Sequence, residues 1–163
     1  MIKKALYVLA SIVALIVCSG IYLYNYLVPD ATADNLVNHA TSRTISTGPI
    51  VGFNDKGVDA WLGMRYAQAP IGVLRWRAPK AAKKSPETVD ALSFGSACPQ
   101  SARGSEDCLF INVWSPENSK SLPVMFWIHG GGNSVGEAAT SIYDGSRLAR
   151  ENNVVLVSIN YRL

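Results

Sequence analysis

Three cysteines and two histidines in 163 residues leave few soft ligands, and none of the four-ligand zinc spacings is present, so a metal site is not expected. Charge is sparse too. Charged residues make up 17% of the chain and the net charge is +3, with no basic stripe and no interleaved aromatic motif, which sets nucleic acid aside as a partner. The length has room for one domain. A hydrophobic share of 48% marks a globular chain rather than a disordered one, although part of that share sits in one N-terminal block.

That block follows the basic segment 1–4, which holds Lys3 and Lys4. Residues 5–28, Ala5 to Val28, carry no charge. They number about 24, where roughly 20 span a bilayer and a signal-peptide core takes only about 7–15. The length favours an uncleaved transmembrane anchor. Ala31-Thr-Ala33 supports the other reading, a signal peptide cleaved before Asp34. On both readings Lys3 and Lys4 stay inside and the remainder is exported, membrane-anchored and extracytoplasmic or, if cleaved, secreted or periplasmic. Cys18 falls within the apolar run as a buried thiol. Residues 29–43 are polar and small and read as a linker, in which His39 has no role.

The rest of the chain is organised around Leu122-Pro-Val-Met-Phe-Trp-Ile-His-Gly-Gly-Gly132. Val124 to Ile128, without charge or alternation, predicts a strand of a parallel sheet buried on both faces. Glycines at its carboxyl end can bring bare N–H groups close to a ligand. The pattern matches the His-Gly-Gly-Gly oxyanion loop of lipases and esterases. Ile45 to Phe53 and Val58 to Tyr66 predict an antiparallel hairpin at the sheet edge, turning through Asn54-Asp55-Lys56-Gly57. Leu109 to Trp114 and Val154 to Ile159 predict further strands. Asp144 or Ser146 is placed to cap a short helix through Leu148 to Glu151. Trp61 and Trp76 are expected to pack as core.

Three stretches carry a family resemblance: Ser105-Glu-Asp-Cys-Leu-Phe-Ile-Asn-Val-Trp114, the triplet with its strand, and Tyr143-Asp-Gly-Ser-Arg-Leu-Ala149 through Val154-Val-Leu-Val-Ser-Ile-Asn-Tyr-Arg-Leu163. Gly63-Met-Arg-Tyr-Ala67, Leu74-Arg-Trp-Arg-Ala-Pro79 and Phe94-Gly-Ser-Ala-Cys-Pro-Gln100 add to it. In order and spacing, residues 44–163 resemble the N-terminal portion of type-B carboxylesterases. The resemblance implies an α/β-hydrolase fold, represented by its edge hairpin and first central strands. It also implies hydrolysis of a small-molecule carboxylic ester through a serine acyl-enzyme, with no cofactor. Gly131 and Gly132 match the family's oxyanion donors, Gly130 opens the turn, and His129 supports the loop. Arg75 resembles a partner for Glu106, expected as a buried pair. Asn133 stands where many members carry an aromatic residue, Arg65 where proline is frequent, and Ala69 where a second proline is common.

Cys98 and Cys108 enclose a short polar loop and, in an oxidising compartment, can close a disulfide. Gly132-Asn-Ser-Val-Gly136 satisfies the nucleophile-elbow pattern, but both histidines precede Ser134, whereas the hydrolase order places the histidine last. Ser134 is therefore rejected as nucleophile. The family's serine lies beyond Asn-Tyr-Arg-Leu, so the expectation is the oxyanion segment of an esterase, without triad-dependent hydrolysis as written. The alternative is a non-catalytic, membrane-tethered interaction domain of the same fold with a protein partner.

Overall fold

The computed structural model describes residues 11–20 and 35–163. Residues 11–20 are helical (α1). The expected span 5–28 lies largely outside the described residues, and among those described no helix is long and apolar enough to cross a membrane.

The remainder builds one seven-stranded mixed sheet. Its strands are β1 (Asn38–Ile45), β2 (Gly48–Asp55), β3 (Val58–Arg65), β4 (Val89–Asp90), β5 (Phe110–Pro116), β6 (Val124–Ile128) and β7 (Val155–Ile159), with one helix, α2 (Ser146–Asn152). The order is β1-β2-β3-β5-β7-β6, with β4 beside β2. Neighbours from β1 to β7 run antiparallel, whereas β6 and β7 are parallel, joined through the crossover that contains α2.

The hairpin β2–β3 forms through the expected turn. Asp55 pairs with Val58, and the two residues between them, Lys56 and Gly57, both have positive φ (50° and 83°), the geometry that matches the twist of paired strands. It is not the edge of the sheet. The polar stretch read as linker supplies a further strand, because β1 starts at Asn38 and takes in His39. Its polar sequence hides its role, since an edge strand needs few inward side chains. The main inward one is Thr41, fully buried, whose hydroxyl accepts the Gly52 N–H at 2.8 Å while its carbonyl accepts the Trp61 indole N–H at 3.0 Å. The run Ile45 to Phe53 is likewise split: Ile45 closes β1, and a turn at Ser46–Thr47 reaches Gly48 at φ 118° before β2 begins.

The core lies on both faces of the sheet. On one face Phe53, Val58, Ala60, Leu62, Trp114 and Leu156 meet Ala149 of α2; on the other Ile50, Trp61, Met64 and Ala91 cluster. The N-cap of α2 is Gly145 rather than Asp144 or Ser146, and Asp144, one residue before it, accepts both the Ser146 N–H (2.9 Å) and the Ser146 hydroxyl.

Several burial expectations fail, beginning with Cys18, expected as a buried thiol and exposed on α1. Trp76 is 67% exposed, lying beneath the Arg75 guanidinium rather than in a core. The strand β6, read as buried on both faces, has all five residues between 41% and 65% exposed. Its composition is that of a central strand, but burial needs neighbours on both faces and both edges. The described residues supply β7 along one edge and little more than Tyr143, 5.4 Å from Trp127 between ring centroids.

Candidate active site

The chain leaves β6 at the carboxyl ends of the parallel pair, where α/β sheets place their ligand crevices. His129 is buried at once. Its ring stacks on Tyr161 (centroids 4.3 Å apart, planes 17°), its Nδ1–H donates to the Gly130 carbonyl at 3.1 Å, and the Tyr161 hydroxyl donates to the His129 carbonyl at 2.8 Å. A ring held this way anchors the loop.

Gly131, Gly132 and Asn133 then turn the chain with φ of 134°, 62° and 56°, closed by Ser134 and Val135 N–H groups donating to the Gly131 carbonyl at 3.1 and 3.2 Å. Consecutive residues in this region turn successive N–H groups toward one concave side. Among the described residues, neither the Gly131 nor the Gly132 N–H is engaged in a hydrogen bond. Two exposed, unengaged amides at a strand end can hold a developing oxyanion without reorganisation. Gly130 carries no comparable constraint, with open space where a Cβ would stand.

Ser134 is exposed, its hydroxyl donates to the Gly132 carbonyl at 3.2 Å, and residues 133–139 form turns rather than the helix an elbow requires. Among the described residues no group of three His, Cys, Asp or Glu side chains could hold a metal ion.

Sequence reasoning assigned no role to two residues that fasten the loop's return. Gln100, 7% exposed, grips Gly136 at both ends: Nε2 donates to the Gly136 carbonyl and the Gly136 N–H donates to Oε1, each at 2.8 Å. Asn160 accepts the Ala138 N–H at 2.8 Å and donates to the Ser96 carbonyl at 3.0 Å. Both lie at element ends or in loops, where no periodicity exists to mark them. Arg103 adds an ion pair to Glu137 at 2.5 Å.

Cys98 and Cys108 form a disulfide, buried with Ala67 and Leu109. Arg75 Nε donates to Glu106 at 2.7 Å, but the side chains are 56% and 37% exposed, so this is a surface pair and not the buried one expected. Solvent screens it. Arg75→Ala is expected to cost no more than about 1 kcal/mol, read as a small shift in the urea midpoint, rather than the 3–5 kcal/mol of a broken buried pair.

Arg65, standing where the resembled family frequently has proline, makes a bidentate pair with Asp107 at 2.5 and 2.6 Å. The hydrogen bonds from Arg65 hold the Asp107 carboxyl below its ordinary value of 3.8, outweighing the opposing effect of partial burial. A lowered carboxylate pKa stabilises the fold fully above that ordinary value, and the contribution is lost as pH falls through the lower folded value. The melting-temperature gap between wild type and Asp107→Asn is therefore expected to stay constant from neutrality to about pH 5 and to shrink below about pH 4.

Residues 39–163 match the carboxylesterase family. The chain is 41% identical over 132 residues to para-nitrobenzyl esterase of Bacillus subtilis (74% of this chain, 27% of that protein) and 38% identical over 124 residues to cholinesterase of Mus musculus (65% and 21%). A solved PNB esterase superposes with a TM-score of 0.73 at 41% identity, covering 76% of this chain and 27% of that one. The chain thus spans about a quarter of the length of the relatives it matches.

Proposed function

We propose, given that the chain belongs to the carboxylesterase family, that Gly131 and Gly132 supply oxyanion donors for hydrolysis of a carboxylic ester. A serine attacks the ester carbonyl, its proton passes to a histidine base, and the carbonyl oxygen takes up the negative charge. The two N–H groups receive that charge as it develops, in the tetrahedral states on either side of the acyl-enzyme. Catalysis on this reading requires a serine, a histidine and an orienting acid brought to the loop.

The observation that carries the reading is the positive-φ turn at Gly131 and Gly132, with unengaged amides, at the carboxyl end of a strand in a parallel pair. The Asn133 side chain, placed beside this turn, is the first candidate for shaping the acyl pocket. Export is part of the proposal. The apolar run from Ala5 to Val28 behind Lys3 and Lys4 supports it, as does a disulfide suited to an oxidising compartment.

The test is the native product in source cells, immunoblotted against residues 35–163 and probed with a fluorophosphonate. A band much heavier than 17.6 kDa that takes up the probe is expected. A band at or below that mass with no labelling would overturn catalysis in favour of a binding role.

A further inference from the structure

We propose that Gln100 is a positioning residue for the oxyanion loop, held in place by the Cys98–Cys108 disulfide, so that a side chain remote in sequence sets the aim of the Gly131 and Gly132 amides. This rests on the oxyanion reading of those glycines.

The loop folds back on itself at Gly136. A Cβ there would stand 2.4 Å from both the Gly130 carbonyl oxygen and His129 Nδ1, so the Gly136 peptide packs directly beneath the first residues of the oxyanion turn. Where that peptide goes, Gly130 must follow. The two hydrogen bonds with Gln100, one accepted and one donated, engage the peptide groups on either side of Gly136 and so fix that residue in both position and rotation, which a single bond would not. Gln100 is fixed in turn. Nε2 also donates to the Cys98 carbonyl at 3.2 Å, and the Gln100 and Arg103 backbones hydrogen-bond reciprocally at 2.9 and 3.0 Å. Arg103 reaches Glu137, next to the gripped peptide. Both attachments to 136–137 therefore arise within the loop that the disulfide closes. Displacements of about 1 Å at a reacting geometry can cost about 100-fold in rate, so freeing this peptide is expected to act on turnover.

Two measurements test this. Hydrogen–deuterium exchange on the full 163-residue chain reads the latch directly, and kcat and KM for an aryl acetate in the polypeptide that carries the complete triad read its consequence. Gln100→Met is expected to accelerate exchange across 130–138 about tenfold and lower kcat about 100-fold, with KM changed less than about threefold. Gln100→Glu keeps the acceptor for the Gly136 N–H but sets a carboxylate oxygen against the Gly136 and Cys98 carbonyls, and is expected to move both readouts in the same direction as Gln100→Met. Being nearly isosteric, it also carries the comparison if Gln100→Met does not fold. Unchanged exchange, or faster exchange with unchanged kcat, overturns the proposal. A triad-bearing wild type with no activity and no fluorophosphonate labelling overturns the oxyanion reading instead, and exchange alone then decides whether the latch exists.

Discussion

Gly131→Ala is expected to lower kcat for an aryl ester by at least about 10²–10³-fold in the triad-bearing polypeptide, about 2.7–4 kcal/mol being the effect of losing a single oxyanion donor. The cause is geometric. Gly131 sits at φ 134°, a conformation that residues with a Cβ rarely adopt, and a Cβ there would lie 1.8 Å from the Val135 carbonyl oxygen. The Cβ position is set by the backbone and the oxygen is part of it, so neither can rotate away. The turn must open, and its opening redirects the Gly131 and Gly132 N–H groups together. KM should move little, because the donors act on charge that exists only in the transition state. Parallel measurement of kcat, KM and melting temperature checks this. A kcat within threefold of wild type in a folded variant would remove Gly131 from the oxyanion assignment.

Cys98→Ala combined with Cys108→Ala is expected to destabilise the domain by about 3 kcal/mol, the chain-entropy value for a loop of this order. The partners are 10 residues apart in sequence and each is at most 1% exposed. Alanine leaves no unsatisfied hydroxyl in the cluster with Ala67 and Leu109, so the measured loss reports the cross-link and a small cavity. Urea unfolding of oxidised wild type and the double variant gives the difference. A change under about 1 kcal/mol would mean that the polar loop is held by Gln100, Arg103 and its turn without the covalent bond.

Much of the segment around the glycine turn was legible from local chemistry. The glycine triplet behind an apolar run marked the turn and the strand end, and the Asn54 to Gly57 stretch marked the hairpin. Such features depend on residues close in sequence, whose conformational limits are set by sterics and short-range hydrogen bonding. β1 escaped notice because an edge strand with solvent on one side carries no alternation strong enough to separate it from a linker, and a single threonine, Thr41, makes its inward contact.

By itself the sequence determined the glycine turn at the end of β6, the parallel pairing across α2, the cysteine pair and the family. Only the tertiary structure decided which charges are buried, what fastens the loop and which strand is covered. Arg75 and Glu106 meet in solvent, Gln100 grips a peptide 36 residues away, and β6, apolar throughout, lies at an open edge. Exposure and long-range hydrogen bonding belong to the neighbours a residue acquires on folding, and neither composition nor spacing encodes who those neighbours are.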